Sequence, residues 1–448
     1  MKKTLLSLIY IIYLTCVIFS EEPNEKIVSI DQERSETLLY GIDSEVKELI
    51  AKLKKDKITG FNKELNSILE STYDESLKLA ILDYYTQMEI SDGEDEALKV
   101  FDLIIYQEEF SDNYAISCID YLSEIESKKA ISDIGSILDS DNDKIVIAAM
   151  KLIGKNRVKS QEKTLLSYLE DDDTEESVYV QVIKTLGSIK SKEAIKLLIP
   201  IADDEDEETT IRNAVCYSLG EIGDEEGIPV LKRCLGNRTN YLLRLSALEA
   251  LGKFSSPDMD NILIQSLRDP HWSIREKAIE ALGDKKVTKA FDILKYKALK
   301  DPETKIQKKA FYAIGDIDSE ECRDFLKEVY TEKSYSDTQK ILAIEKLIEH
   351  NVDWIYPSIE ERYNKDRLEK RKPILDATIK FFVNKEYKFG VDLYNKLLAD
   401  DNYIYRLYAI QGIRLNKLSE FKEKLVTLST TDKNKNIKKH ALSAIEEL

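Results

Sequence analysis

Apolar positions recur with a helical period along most of this chain, and the pattern restarts every thirty-odd residues. The clearest instance is Ser273 to Gly283. There Ile274, Ala278, Ile279 and Leu282 share one stripe of a 3.6-residue helix, and Arg275, Glu276, Lys277 and Glu280 point elsewhere. Asp269-Pro270 precedes this stretch, and a second amphipathic stretch, Thr288 to Leu299, follows it. Pro270 suits a helix entrance, and Gly283 suits a left-handed residue that ends the helix.

Aligning on that glycine gives Gly154, Gly187, Gly220, Gly252, Gly283 and Gly315, at intervals of 33, 33, 32, 31 and 32 residues. Five residues earlier stand Ala149, Val182, Val215, Ala247, Ala278 and Ala310; one residue earlier stand Ile153, Leu186, Leu219, Leu251, Leu282 and Ile314. The register continues without the glycine through Ala343, Ala377, Ala409 and Ala441, and backwards through Ala115 and Ala80. One such helix pair cannot bury its apolar faces alone, whereas stacked pairs can. The predicted fold is therefore all-α, an α-solenoid of about eleven units of 31–35 residues over 61–448. Residues 21–60 are helical but out of register, with Ile42, Val46, Leu49, Ile50 and Leu53 on one stripe, and are expected to cap or tether the array.

The motif Asp269-Pro270, Ile274-Arg275, Ala278-Ile279 and Ala281-Leu282-Gly283 resembles the HEAT-repeat family, in particular its short bacterial units of the phycobilin-lyase type. Ile211-Arg212 and Ala247 to Gly252 carry the same resemblance, which is good over 140–316 and rests on register alone outside it. It implies a right-handed superhelix whose second helices line a concave groove. The arginine after the first core position stands at Arg212, Arg244 and Arg275 but is replaced by Val146 and Gln307, which argues against a continuous arginine–aspartate ladder. Aligned second helices place Lys196, Pro229, Asn261, Asp292 and Asp324 in one column, and Pro200, Arg233, Gln265, Tyr296 and Glu328 one turn further on. Both columns lie off the apolar stripe. They are the candidate partner-binding residues, with Tyr296 and Arg233 the residue types that most often anchor interfaces.

Residues 1–20 change the picture of where the chain acts. Lys2 and Lys3 precede an apolar run, Thr4 to Phe19, and the polar Glu21-Glu22-Pro23 follows. This reads as a cleavable export signal, shorter than a spanning helix needs. A second reading is lipidation of Cys16, after Tyr13-Leu14-Thr15; an uncleaved anchor is a third. All three direct the protein to a bacterial periplasm or cell envelope, with membrane contact only through this terminus.

The net charge is −18, and residues 21–330 carry −23, with acid massed at Asp171 to Glu176 and Asp203 to Glu208. That field disfavours nucleic acid and favours a cationic protein partner. The acidic loops lack the ligand spacing of a dedicated calcium site. A basic cluster, Arg362 to Lys372, is interleaved with carboxylates and reads as a solvated loop.

Reactive groups are sparse. His271, His350 and His440 lie in separate repeats, and none begins the paired His-Glu motif of the family's iron hydroxylases. No phosphate-cradling glycine loop or nucleophile elbow is present. Cys118, Cys216, Cys234 and Cys322 occupy core or small-residue columns and read as buried hydrophobes, although Cys216 and Cys234, on partner helices, could pair under oxidising conditions. The expectation is an exported scaffold without catalysis or cofactor. The alternative is a bilin-lyase-like enzyme or hydrophobic-ligand binder using the same groove.

Overall fold

A computed structural model describes residues 29–448 apart from 107, 172, 256, 351–354, 370–371 and 386–389. The expected signal segment and Cys16 lie outside the described residues. Among the described residues there is no strand, and the architecture is an all-α solenoid. Long and short helices alternate in two units, Met1–Asp224 and Glu225–Leu448.

In the first unit the helices are α1 (Ile30–Tyr40), α2 (Asp43–Asp56), α3 (Asn62–Ser71), α4 (Glu75–Met88), α5 (Glu94–Ile105), α6 (Asp112–Glu124), α7 (Lys128–Asp133), α8 (Asp143–Lys155), α9 (Glu162–Leu169), α10 (Glu176–Ser188), α11 (Ile195–Asp203) and α12 (Thr209–Ile222). The second holds α13 (Ile228–Leu235), α14 (Tyr241–Gly252), α15 (Pro257–Ser266), α16 (Trp272–Asp284), α17 (Phe291–Lys300), α18 (Thr304–Ile317), α19 (Glu320–Thr331), α20 (Asp337–Glu349), α21 (Ile355–Asp366), α22 (Pro373–Val383), α23 (Val391–Leu398), α24 (Tyr403–Leu415), α25 (Lys422–Thr431) and α26 (Lys435–Glu447).

Even-numbered helices from α2 carry the repeating motif, and within each unit they pack directly on one another in sequence order. The helix α2 packs on α4 in the same way, so the stack already includes the segment expected to be a cap. Of that segment's apolar stripe, Val46, Ile50 and Leu53 are buried, while Ile42 is an exposed N-cap. Side chains of Ser111, Asn142, Asn240, Asn402 and Asn434 accept backbone N–H groups at the starts of five long helices.

The glycine column does not supply left-handed helix ends at these positions. Gly154, Gly187, Gly283 and Gly315 lie inside α8, α10, α16 and α18, and Gly252 is the last residue of α14, none with positive φ. The left-handed residue comes three positions later, as Arg157, Lys190, Lys286 and Asp318, and only Gly223 in that column is a glycine. Behind it the Val287 N–H reaches back to the Leu282 carbonyl (3.0 Å), and Val158 reaches Ile153 in the same way (2.9 Å). What Gly283 supplies is closeness: a Cβ there would sit 3.1 Å from the Cα of Ala313 on α18, and at Gly187 one would sit 2.6 Å from the Cα of Ser218 on α12. Pro270 is likewise outside its helix, two residues before Trp272.

Leu251 and Leu282 are buried as their register requires, and the four described cysteines are buried thiols outside any disulfide. Much of the tyrosine is structural. The Tyr84, Tyr121 and Tyr168 hydroxyls donate to the Ile58, Ile90 and Leu138 carbonyls of the preceding repeat at 2.8, 2.9 and 2.6 Å.

Candidate binding surface

The odd-numbered helices are short and amphipathic, which leaves one face of each in solvent. Lys196 and Pro200 lie on α11 of the first unit. Pro229 and Arg233 lie on α13, Asn261 and Gln265 on α15, Asp292 and Tyr296 on α17, and Asp324 and Glu328 on α19 of the second unit. All ten are exposed. Tyr296 is 61 % exposed, on the same helix whose Phe291, Leu294 and Ala298 are buried. Glu328 accepts a hydrogen bond from the Tyr335 hydroxyl, which pushes that phenol up to about 12.

Between α13 and α15 the surface opens into a cleft of about 670 Å3. Its walls include Asn261 and Gln265, with Lys232, Arg268, Asp258 and Asp269 around an apolar floor of Leu235 and Ile262. Two of the acids are already engaged. Asp269 takes Arg244 Nε and Nη2 at 2.9 and 3.1 Å, and Asp258 lies 3.7 Å from Lys232. The Arg268 guanidinium projects from the end of α15 without an ion pair among the described residues. Paired amides beside a free guanidinium can bind peptide groups and carboxylates. Lys232 and Arg268 escape a reading based on repeat columns, because they flank the aligned positions.

The arginine column is fuller than the motif suggests. Arg275 pairs with Asp301, Arg244 with Asp269, and Arg406 with Asp432. Arg406 falls at the same register position as Arg275, so the alignment through Ala409 already pointed to it. Gln307, at the next position after Arg275, instead donates to the Asp301 carbonyl at 2.7 Å. These contacts are structural and lie below the surface.

Acid is confined more sharply than the sequence average suggested. Residues 29–224 hold 44 acidic and 22 basic side chains, while residues 225–448 hold 37 and 41. Asp203 ends α11 and Asp204 to Glu208 connects it to α12, and Glu170 to Glu175 connects α9 to α10, so both runs sit where a short helix hands over to a long one. No group of three or more His, Cys, Asp or Glu side chains is arranged to hold a metal ion among the described residues. In the basic cluster, Arg362 stacks on Tyr330 and pairs with Asp366 at 2.9 Å, Arg367 lies over Tyr363, and Lys372 over Tyr405. Much of that charge is spent internally. His271 stacks on Tyr241 with ring centroids 3.8 Å apart, and His350 lies 3.3 Å from Asp318.

A search of curated proteins returned no match. Among solved structures, the chain is similar to the CpcE–CpcF complex of phycocyanin lyase from Nostoc (20% identity, 50% of this chain and 88% of that one, TM-score 0.32). It is also similar to human deoxyhypusine hydroxylase (15%, 57% and 95%, 0.27) and to the karyopherin Kap121p bound to Nup53p (14%, 92% and 52%, 0.42). At these identities the likeness concerns the fold alone, and the chain spans about half the length of Kap121p. The profile of the family described as spirochaete HEAT repeat protein matches residues 38–444. With the long-helix stack, the buried apolar columns and the close-approach glycines already in place, the chain belongs to the spirochaete HEAT repeat protein family.

Proposed function

We propose that this protein is an exported, non-catalytic scaffold that binds another protein along the exposed face of its short helices. The observation that carries this reading is the α13–α15 cleft, whose walls include Asn261 and Gln265 from the two aligned columns. Tyr296, on the next short helix along the same unit, adds an exposed aromatic ring of the kind that anchors interfaces. The partner offers peptide groups and a carboxylate to the cleft, and basic segments to the acid of the first unit.

A photo-crosslinking side chain placed at position 296 in the full chain, in cells, tests the reading. One protein captured reproducibly, and lost when Arg268 and Gln265 are both replaced by Ala, supports it; capture unaffected by those changes refutes the cleft as the docking site. Export is read from residues 1–20, and mature protein is expected to begin at Glu21. Incorporation of labelled palmitate, abolished by Cys16→Ala, would instead make it an anchored lipoprotein.

A further inference from the structure

On the opposite kind of surface, the exposed face of the long helices in the first unit, lies a depression of about 260 Å3. It is lined by Lys151, Gly154 and Lys155 of α8, by Gln181, Lys184, Thr185 and Ser188 of α10, and by Tyr217 of α12. We propose that this depression is a binding site for a phosphate group, held by Lys151, Lys184 and Lys155.

The repeat explains how the site is built. Lys151, Lys184 and Tyr217 each stand three residues before a glycine of the aligned column, so successive helices present them side by side. Gly154 has no side chain to fill the floor, and the nearest neighbour to a Cβ there would be Ser188 Cβ at 3.4 Å. Lys151 and Lys155 are four apart on one helix and share a face. Three lysines therefore line a hollow with no carboxylate in its lining.

The second unit shows what the same position looks like when it serves only cohesion. There the position holds Glu249 and Glu280, each paired with a lysine one helix on, Lys277 at 3.4 Å and Lys309 at 2.6 Å. In the first unit the charges are reversed and that pairing is missing. Neither the Lys151 nor the Lys184 ammonium makes a hydrogen bond or ion pair among the described residues; Asp120 acts on Lys151 and Lys155 only at longer range, and Lys155 pairs with Glu124. Placing Lys151 and Lys184 side by side without a directly paired carboxylate costs stability. In a unit with twice as many acids as bases, compensating carboxylates are common enough that their exclusion from this one hollow identifies an anion site. Lysine binds phosphate as a point charge, without the planar fork of arginine. A phosphate is far smaller than the hollow, so it can arrive free or on a side chain of a bound protein. This inference does not rest on the docking face proposed above.

The test is calorimetric titration of the full chain with inorganic phosphate, with the peptide Gly-Gly-phosphoserine-Gly-Gly, and with its unphosphorylated twin. Saturable binding of the phosphorylated probe or of phosphate is expected, with none of the twin. The K151Q/K184Q variant is expected to weaken it by about ten-fold or more, with an unchanged circular-dichroism melt because both side chains are exposed. The K128Q/K159Q variant makes the same charge change elsewhere in the unit and is expected to bind as wild type. Equal affinity for phosphate and phosphopeptide identifies the free ion as sufficient; preference for the peptide identifies a protein side chain as the source. No saturable binding by wild type, undiminished binding by K151Q/K184Q, or equal weakening by K128Q/K159Q overturns the proposal.

Discussion

Arg275 on α16 grips Asp301, at the end of the following short helix, through two parallel hydrogen bonds: Nε to Oδ2 at 3.0 Å and Nη2 to Oδ1 at 2.8 Å. The remaining nitrogen, Nη1, donates to the Asp269 and Pro270 carbonyls, both at 3.0 Å. One guanidinium thus ties together the loop before its helix and the loop after the next. Asp301 in turn accepts the Glu303 N–H at 3.1 Å, which fixes the approach to α18. Arg406 repeats the arrangement, with Asp432 as its partner and the Asp400 and Asp401 carbonyls as acceptors.

Both members of the first pair are buried, Arg275 at 5% and Asp301 at 1% exposure. Arg275→Ala would strand a buried carboxylate, with Lys297, at 3.1 Å, as its remaining charged partner. The expected cost is about 3 kcal/mol, at the lower end for a broken buried pair because that lysine remains. Urea unfolding checks this, and Arg275→Lys should recover only part of the loss, since it cannot form both parallel bonds.

The same pairs set an acid limit. Burial pushes Asp301 up, but the Arg275 guanidinium, the Glu303 N–H and Lys297 outweigh it and hold the carboxyl below its ordinary value. Asp432 is held down in the same balance, by Arg406 and the Asn434 N–H. A depressed carboxyl contributes stability that is fully present above its unfolded pKa and lost as pH falls through the folded one. The melting temperature is therefore expected to drop below about pH 4, and the drop should be smaller in the double variant Asp301→Asn, Asp432→Asn, which begins less stable at neutral pH.

Two glycines of one column should respond oppositely to the same change. At Gly187 an added Cβ would meet Ser218 backbone at 2.6 Å, so Gly187→Ala is expected to cost about 1–3 kcal/mol by forcing α10 and α12 apart. At Gly252 nothing lies within 4 Å, and Gly252→Ala is expected to stabilise by about 0.5–1 kcal/mol through helix propensity alone. Thermal melts of the two variants separate a close-approach glycine from a tolerated one.

On the short-helix face, the double variant Arg233→Ala, Tyr296→Ala should weaken the native partner by over ~2 kcal/mol while barely moving the melting temperature. Both residues are exposed, and neither supports the core. Normal binding by this variant, with binding abolished by charge reversal across Asp203 to Glu208, would move the docking surface to the acidic edge of the first unit.

The repeat, its register and its buried columns were legible in the sequence because they depend on periodicity. Every Leu282-like position must find the same neighbours one unit on, so the spacing alone dictates which side chains are buried. The same logic covers the exposure of the ten column residues and the presence of Arg406. Other features depend on distances between helices that no spacing encodes. Gly283 looks like a helix terminator from its place after Leu282, yet its role is set by Ala313 on another helix, and the left-handed stop falls on Lys286, a residue with no sequence mark. Lys151 and Lys184, 33 residues apart, are ordinary surface lysines until α8 and α10 pack side by side. Whether a charge column is paired or left open is decided by which side chains meet across a helix interface, and only the tertiary structure brings them together.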